Sequence, residues 1–161
     1  MNAIQIDECV QSDDQILKYW LGVFPSDKVP SFKQNRCCYI ANLDKACDAG
    51  SHWVCFFRDG PRWEFFDSYG LQPDRSVFPR VPSSTEYNTT TLQSTFSAVC
   101  GQYAIFFLYL RCRGYTMRDV TRLFCPDSET NDLAVCDFVD DHFTYTHSEC
   151  SAQTCHSASS V

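Results

Sequence analysis

The chain has 161 residues, 44% of them apolar and 15% aromatic, which is enough for one domain with a substantial core. A formal net charge of −7 argues against sequence-independent binding to nucleic-acid phosphates, and no apolar run reaches the roughly 18 residues of a membrane span. Met1 to Glu8 lacks a basic region followed by an apolar stretch, and the eleven cysteines are odd in number with Cys37 and Cys38 adjacent, so the pattern reads as free thiols in a reducing, intracellular compartment.

Taken in chain order, Ile4 to Leu21 reads as one helical stretch with polar interruptions. Cys37 to Leu43 reads as a buried strand. Ser51 to Phe57 and Arg62 to Asp67 read as two more strands, with the turn signal Asp59-Gly60 between them. A hairpin centred between Asp59 and Gly60 places His52 directly opposite Asp67, close enough for a carboxylate to hold an imidazole. Pro61 cannot donate to the ladder, so the loop is expected to widen without changing that register. Leu71 to Thr91, with Pro73, Pro79, Pro82 and a Ser/Thr/Asn run, is expected to be a loop-rich flank of a groove.

The segment after Ser97-Ala98-Val99-Cys100-Gly101 is apolar on nearly every face and predicts a buried helix, with Ser97 as its N-cap and Gly114 as its stop. Cys100 then falls in the first turn, where free backbone N–H groups and the positive end of the helix lower a thiol pKa and can hold an oxyanion. Gln93 can add a side-chain N–H. Thr116 to Phe124 predicts a helix capped by Thr116 and stopped before Pro126, and Ser128 to Phe143 a further one. Asp127, Glu129 and Asp132 near its start read as complements of the helix dipole, with no function assigned. The class is α+β: a small twisted sheet packed on a buried central helix carrying the thiol, with other helices around it. Residues 1–148 form the expected domain and 149–161 a flexible tail. His142, His147, Cys150, Cys155 and His156 are ligand types for zinc, but their spacing matches no standard site, and no metal is expected.

At the His52-Trp53 pair, Phe66-Asp67-Ser68-Tyr69-Gly70, and Gln93 ahead of Cys100-Gly101, the chain resembles the adenain-like cysteine endopeptidases. That group comprises the adenovirus maturation protease and its Maverick/Polinton counterparts, related more distantly to the Ulp/SUMO proteases. Tyr19 to Pro30, Arg113-Gly114 and Val120 to Phe124 extend the likeness. The resemblance implies a protease fold in which Cys100 is the nucleophile, His52 its base and then acid, and Asp67 the residue orienting His52. Gln93 and the Cys100 N–H would hold the oxyanion. Trp53 and Gly101 would contact substrate in a cleft that admits only small residues beside the cut. The implied function is processing of structural precursors of a DNA virus or Maverick-type element by a monomer in the host cytoplasm, nucleus or virion. A protease of ubiquitin-like modifiers and a catalytically silent interaction domain are the alternatives.

The resembled adenovirus enzyme is activated by a disulfide-tethered peptide and by DNA. Here no cysteine lies between Asp67 and Cys100, and the charge is negative. Activity without a cofactor, or with a non-covalent peptide, is therefore expected, with weak DNA binding or none. Arg111, Arg113, Arg118 and Arg122 form the one candidate basic patch, although a solvated face explains them as well.

Overall fold

Period-two alternation in the central strands gives a sheet with two apolar faces, and both are covered. The computed structural model describes residues 1–146. Its elements are α1 (Ala3–Gln11), α2 (Asp14–Leu17), β1 (Trp20–Pro25), β2 (Arg36–Asn42), β3 (Trp53–Asp59), β4 (Arg62–Phe66), β5 (Glu86–Tyr87), α3 (Cys100–Cys112), α4 (Met117–Thr121) and α5 (Ser128–His142). The strands form one five-stranded sheet in chain order, antiparallel through β2, β3 and β4 and parallel at both edges. Helices and sheet thus combine in an α+β arrangement, as expected.

On one face Cys38, Ile40, Cys55, Phe57 and Phe66 pack against Phe107 and Leu108 of α3, with α1, α2 and α5 closing the other sides of that helix. The rings of Phe66 and Phe107 stack with centroids 4.5 Å apart. An element enclosed this way must be apolar all round, which is the pattern its sequence carries. On the opposite face Tyr39, Ala41, Val54, Phe56 and Phe65 pack against Phe78 and Val81 of the loop-rich segment.

The hairpin register differs from the sequence-based expectation by two residues. The turn is Gly60-Pro61, Asp59 pairs with Arg62, and Cys55 pairs with Phe66. Gly60 has φ +61°, which suits the first central position of a tight hairpin turn, while proline's fixed φ suits the second. The proline is therefore inside the turn and not in a widened loop. A two-residue displacement keeps every side chain on its own face, whereas a one-residue slip would have inverted them.

Two strands were not foreseen. Ile4 to Leu21 does not form one helix: Ser12 ends α1, and the Asp13 carboxylate accepts from the N–H groups of Gln15 and Ile16 to start the short α2. Trp20–Pro25 then runs as β1, parallel to β2, a pairing with a distant strand that local periodicity cannot announce. The two-residue β5, inside the expected loop, is too short to show a period. At the carboxy-terminal side two end signals perform as read: Gly114 follows the C-cap of α3, and Thr116 and Asp119 form a capping box on α4. The α4 helix ends at Thr121, short of the expected Phe124, and Asp127, read as a dipole complement, is the N-cap of α5. Ser97, however, is not the cap of α3, whose N-cap position is Val99.

All nine described cysteines are free, and no described helix is long and apolar enough to cross a membrane. Among the described residues no group of three or more ligand-type side chains could hold a metal; His147, Cys150, Cys155 and His156 lie outside them.

Two of the four arginines of the candidate basic patch have structural partners. Arg111 makes a buried two-pronged ion pair with Glu64, at 2.6 and 3.0 Å, and also bonds the Tyr115 carbonyl. Arg113 pairs with Asp13 at 2.6 Å and lies over the Tyr109 ring. Removing one partner of a buried pair strands the other charge. Arg111→Met should therefore lower unfolding stability by about 3 kcal/mol in urea denaturation, and adding Glu64→Gln should restore much of it.

Candidate active site

His52 immediately precedes β3 and Asp67 immediately follows β4, so both project from the same end of the sheet. They are diagonal neighbours on one face, not directly opposed, and their side chains bridge the gap: His52 Nε2–H donates to Asp67 Oδ1 at 2.7 Å. Both are buried. The carboxylate is itself held. The Tyr69 N–H donates to the same oxygen at 2.9 Å, and the Tyr69 ring stacks on the imidazole at 4.8 Å. Asn88 clamps the Asp67 backbone, accepting from its N–H at 2.9 Å and donating to its carbonyl at 2.6 Å. Gly70, with φ +70°, lets the chain pass beneath: a Cβ there would lie 2.7 Å from the Thr90 backbone.

Cys100 is the first residue of α3, beside the helix's unpaired N–H groups. The Trp53 N–H donates to its sulfur at 3.4 Å. With Nε2 engaged by Asp67, Nδ1 is the ring nitrogen left for the thiol. Burial alone raises the Cys100 pKa. The hydrogen bond from His52, the Trp53 amide and the imidazolium charge outweigh it, so the thiol sits below its ordinary value. For His52, burial lowers the pKa, but the bonds to Asp67 and Cys100 and their charges raise it to about 9. The two shifts run in the same sense, each toward the charged form of its group.

Gln93 reaches the same place from the loop before α3 and is buried. Ser68 orients its amide: the Ser68 hydroxyl donates to Gln93 Oε1 at 2.7 Å, and the Ser68 carbonyl accepts from the Leu92 and Gln93 N–H groups. The Nε2 end therefore points toward Ser97, whose carbonyl and hydroxyl accept at 3.0 and 3.1 Å. Ser97 thus supports Gln93 instead of capping the helix. A substrate oxyanion would replace one of these acceptors.

Asp132, read from sequence as a dipole complement, performs a different task. Its carboxylate accepts from the Ser94 N–H at 3.3 and 3.4 Å and from the Tyr103 hydroxyl at 2.9 Å. Its neighbour Asn131 donates to the Leu92 carbonyl at 3.1 Å. The start of α5 therefore grips the backbone on both sides of Gln93. Asn88, Ser68, Tyr69 and Asp132 were missed as contributors. Only the Asp67-Ser68-Tyr69 adjacency carried a signal that could have found any of them.

A cleft of about 550 Å³ opens over these groups, lined by His52, Trp53, Tyr69, Gln93 and Cys100 and by Met1 to Ala3. Trp53 stands in its wall, with its indole N–H donating to the Met1 carbonyl at 3.0 Å. Gly101 does not line the cleft. It is buried under that wall, where a Cβ would come within 3.3 to 3.5 Å of Met1, Ile6 and Trp53.

Replacing His52 by alanine removes the contributions that lower the Cys100 pKa and leaves the burial that raises it. The alkylation of Cys100 by iodoacetamide should therefore set in at a lower pH in the unaltered protein than in His52→Ala, as followed by peptide mass spectrometry. Asp132→Ala should leave that alkylation profile in place. It should still loosen the backbone around Gln93, seen as faster amide hydrogen exchange at Ser94, whose N–H it leaves without an acceptor.

Comparison with described protein families finds no match, and comparison with curated proteins finds none either. Among solved structures the chain is similar to the ASFV pS273R protease, known from its crystal structure, at 18% identity over 70% of this chain with a TM-score of 0.46. The matched region spans 45% of that protein's length.

Proposed function

We propose that this chain is a cysteine endopeptidase that cuts precursor proteins, most fittingly the structural precursors of a virus or Maverick-type element. The observation that carries the reading is the convergence of Cys100, His52 and Asp67 with the Gln93 amide at the amino-terminal end of α3. Separate elements supply the four groups, and a purely structural role for the thiol gives no reason for an imidazole and a buried carboxylate to be aligned on it.

In the reaction the Cys100 thiolate attacks the scissile carbonyl carbon, forming the C–S bond as the carbonyl electrons move to oxygen. The Cys100 N–H and one Gln93 N–H hold that oxyanion. Collapse of the intermediate breaks the C–N bond, and His52 gives its proton to the departing amine. His52 then takes a proton from water, which attacks the thioester and releases the acid and the thiolate. Asp67 keeps the imidazole in orientation and stabilises its charged form throughout.

Trp53 and Met1, hydrogen-bonded to each other, make a bulky wall of the cleft beside His52 and Cys100, which favours glycine or another small residue beside the cut. The activity is expected without metal, DNA or a tethered peptide. The net charge of −7 and the structural roles of Arg111 and Arg113 support weak DNA binding. The site of action is within the infected or element-bearing cell.

Cys100→Ala and His52→Ala should each abolish cleavage in a peptide library while leaving the unfolding transition intact, and Asp67→Asn should be milder. Cleaved sequences should be rich in glycine next to the cut. Full turnover by Cys100→Ala would remove the assignment.

A further inference from the structure

A second hollow, of about 770 Å³, lies on the sheet face away from α3 and is larger than the catalytic cleft. Its floor is aromatic: Tyr39 of β2, Trp63 of β4 and Phe78 of the loop-rich segment, with Phe32 and Val77 at the sides. The fold does not fill it, although Tyr39 and Phe78 are otherwise nearly fully buried.

The two hollows share a wall. Asp44, Lys45 and Asp48 border both, on the loop between β2 and β3 that leads directly into His52. That loop is pinned at its base. Asn42 Oδ1 accepts from the N–H groups of Asp44 and Ser51, Ser26 donates its N–H to the Asp44 carbonyl, and Asp27 accepts from the Ala46 N–H. A peptide that crosses this loop from the catalytic cleft meets residues that line the second hollow as well.

We infer that the second hollow is a remote specificity site for the same polypeptide substrate, seating a bulky apolar or aromatic side chain several residues from the cut. The inference rests on the endopeptidase reading. It extends that reading by making the substrate a chain recognised at two places, small residues at the bond and a large apolar anchor beyond it. The chemistry follows from the lining, because an aromatic pocket recovers its exposed area best by covering a large apolar group. Two carboxylates against one ammonium at the shared wall suit a crossing segment that is neutral or basic, not acidic.

The test uses fluorescein-labelled peptides with a glycine-rich centre and an extension of about ten residues on one side or the other, a reach of roughly 33 Å. In each pair the extension carries either one phenylalanine or only glycine and serine. Binding is read by fluorescence anisotropy on the Cys100→Ala protein, so it does not depend on turnover. Phenylalanine on one of the two sides should tighten binding about tenfold. Val77→Trp, which fills the hollow, and Trp63→Ala, which removes part of its floor, should each cancel the gain. Both variants, made with Cys100 present, should cleave a short peptide lacking the extension as the unaltered protein does. Equal binding of the two extensions on both sides, or a gain that survives both variants, would overturn the inference. Stimulation of short-peptide cleavage by the extension added as a separate molecule would also overturn it, because the hollow would then serve an activator. Absence of short-peptide cleavage by the unaltered protein would count against the endopeptidase reading, while the anisotropy result would still judge the hollow on its own.

Discussion

The burial of α3 against the sheet is the constraint on which the rest of the molecule depends. Its apolar surface can leave water only by lying across β2, β3 and β4 with α1, α2 and α5 around it, and the Phe66–Phe107 stack holds it to the strand that leads to Asp67. A helix fixed along its length has a fixed first turn. Cys100 therefore stands where the amide of Trp53, at the start of β3, can reach its sulfur, and His52 is the next residue back along the chain. The position of the Cys100 thiol is a consequence of how the core packs.

That placement has an electrostatic cost. A thiolate and an imidazolium close to fully buried are each disfavoured by loss of water, and burial is the largest influence on both. Their mutual attraction, the Asp67 carboxylate and the Trp53 amide reverse its sign for each group. The pair persists because every partner is held in turn. Asp67 is fixed by Tyr69 and Asn88, and the adjacent Ser68 fixes Gln93. The two consecutive residues Asp67 and Ser68 thus couple the His52 side of the site to the Gln93 side, so that a shift in one carries the other.

The helices at the carboxy-terminal end complete this scaffold from behind. Asn131 and Asp132 of α5 hold the Leu92–Ser94 backbone, and Tyr103 of α3 bonds the same carboxylate. The Glu64–Arg111 pair ties β4 to the far end of α3. The helix is thereby anchored at both ends and along its middle, which fixes the place of the Cys100 thiol at its start.

By itself the sequence determined the α+β class, the buried central helix with its thiol in the first turn, the glycine that ends it and the threonine that caps α4, and the identity of the four groups that converge. These are local or periodic properties: apolar patterning, capping residues, and a histidine and an aspartate flanking a hairpin. The tertiary structure decided the parts that depend on distant partners. The register rests on Gly60-Pro61 forming the turn, and its two-residue displacement left His52 and Asp67 on one face only because the strand period is two. The strand Trp20–Pro25 exists because β2 offers it an edge, and Ser97 turns to Gln93 because Val99 already stands at the helix start. Asn88 and Asp132 became supports because folding brought a loop and a late helix to the site. Their side chains serve backbone groups far away in the chain, and no spacing along the sequence encodes such a pairing.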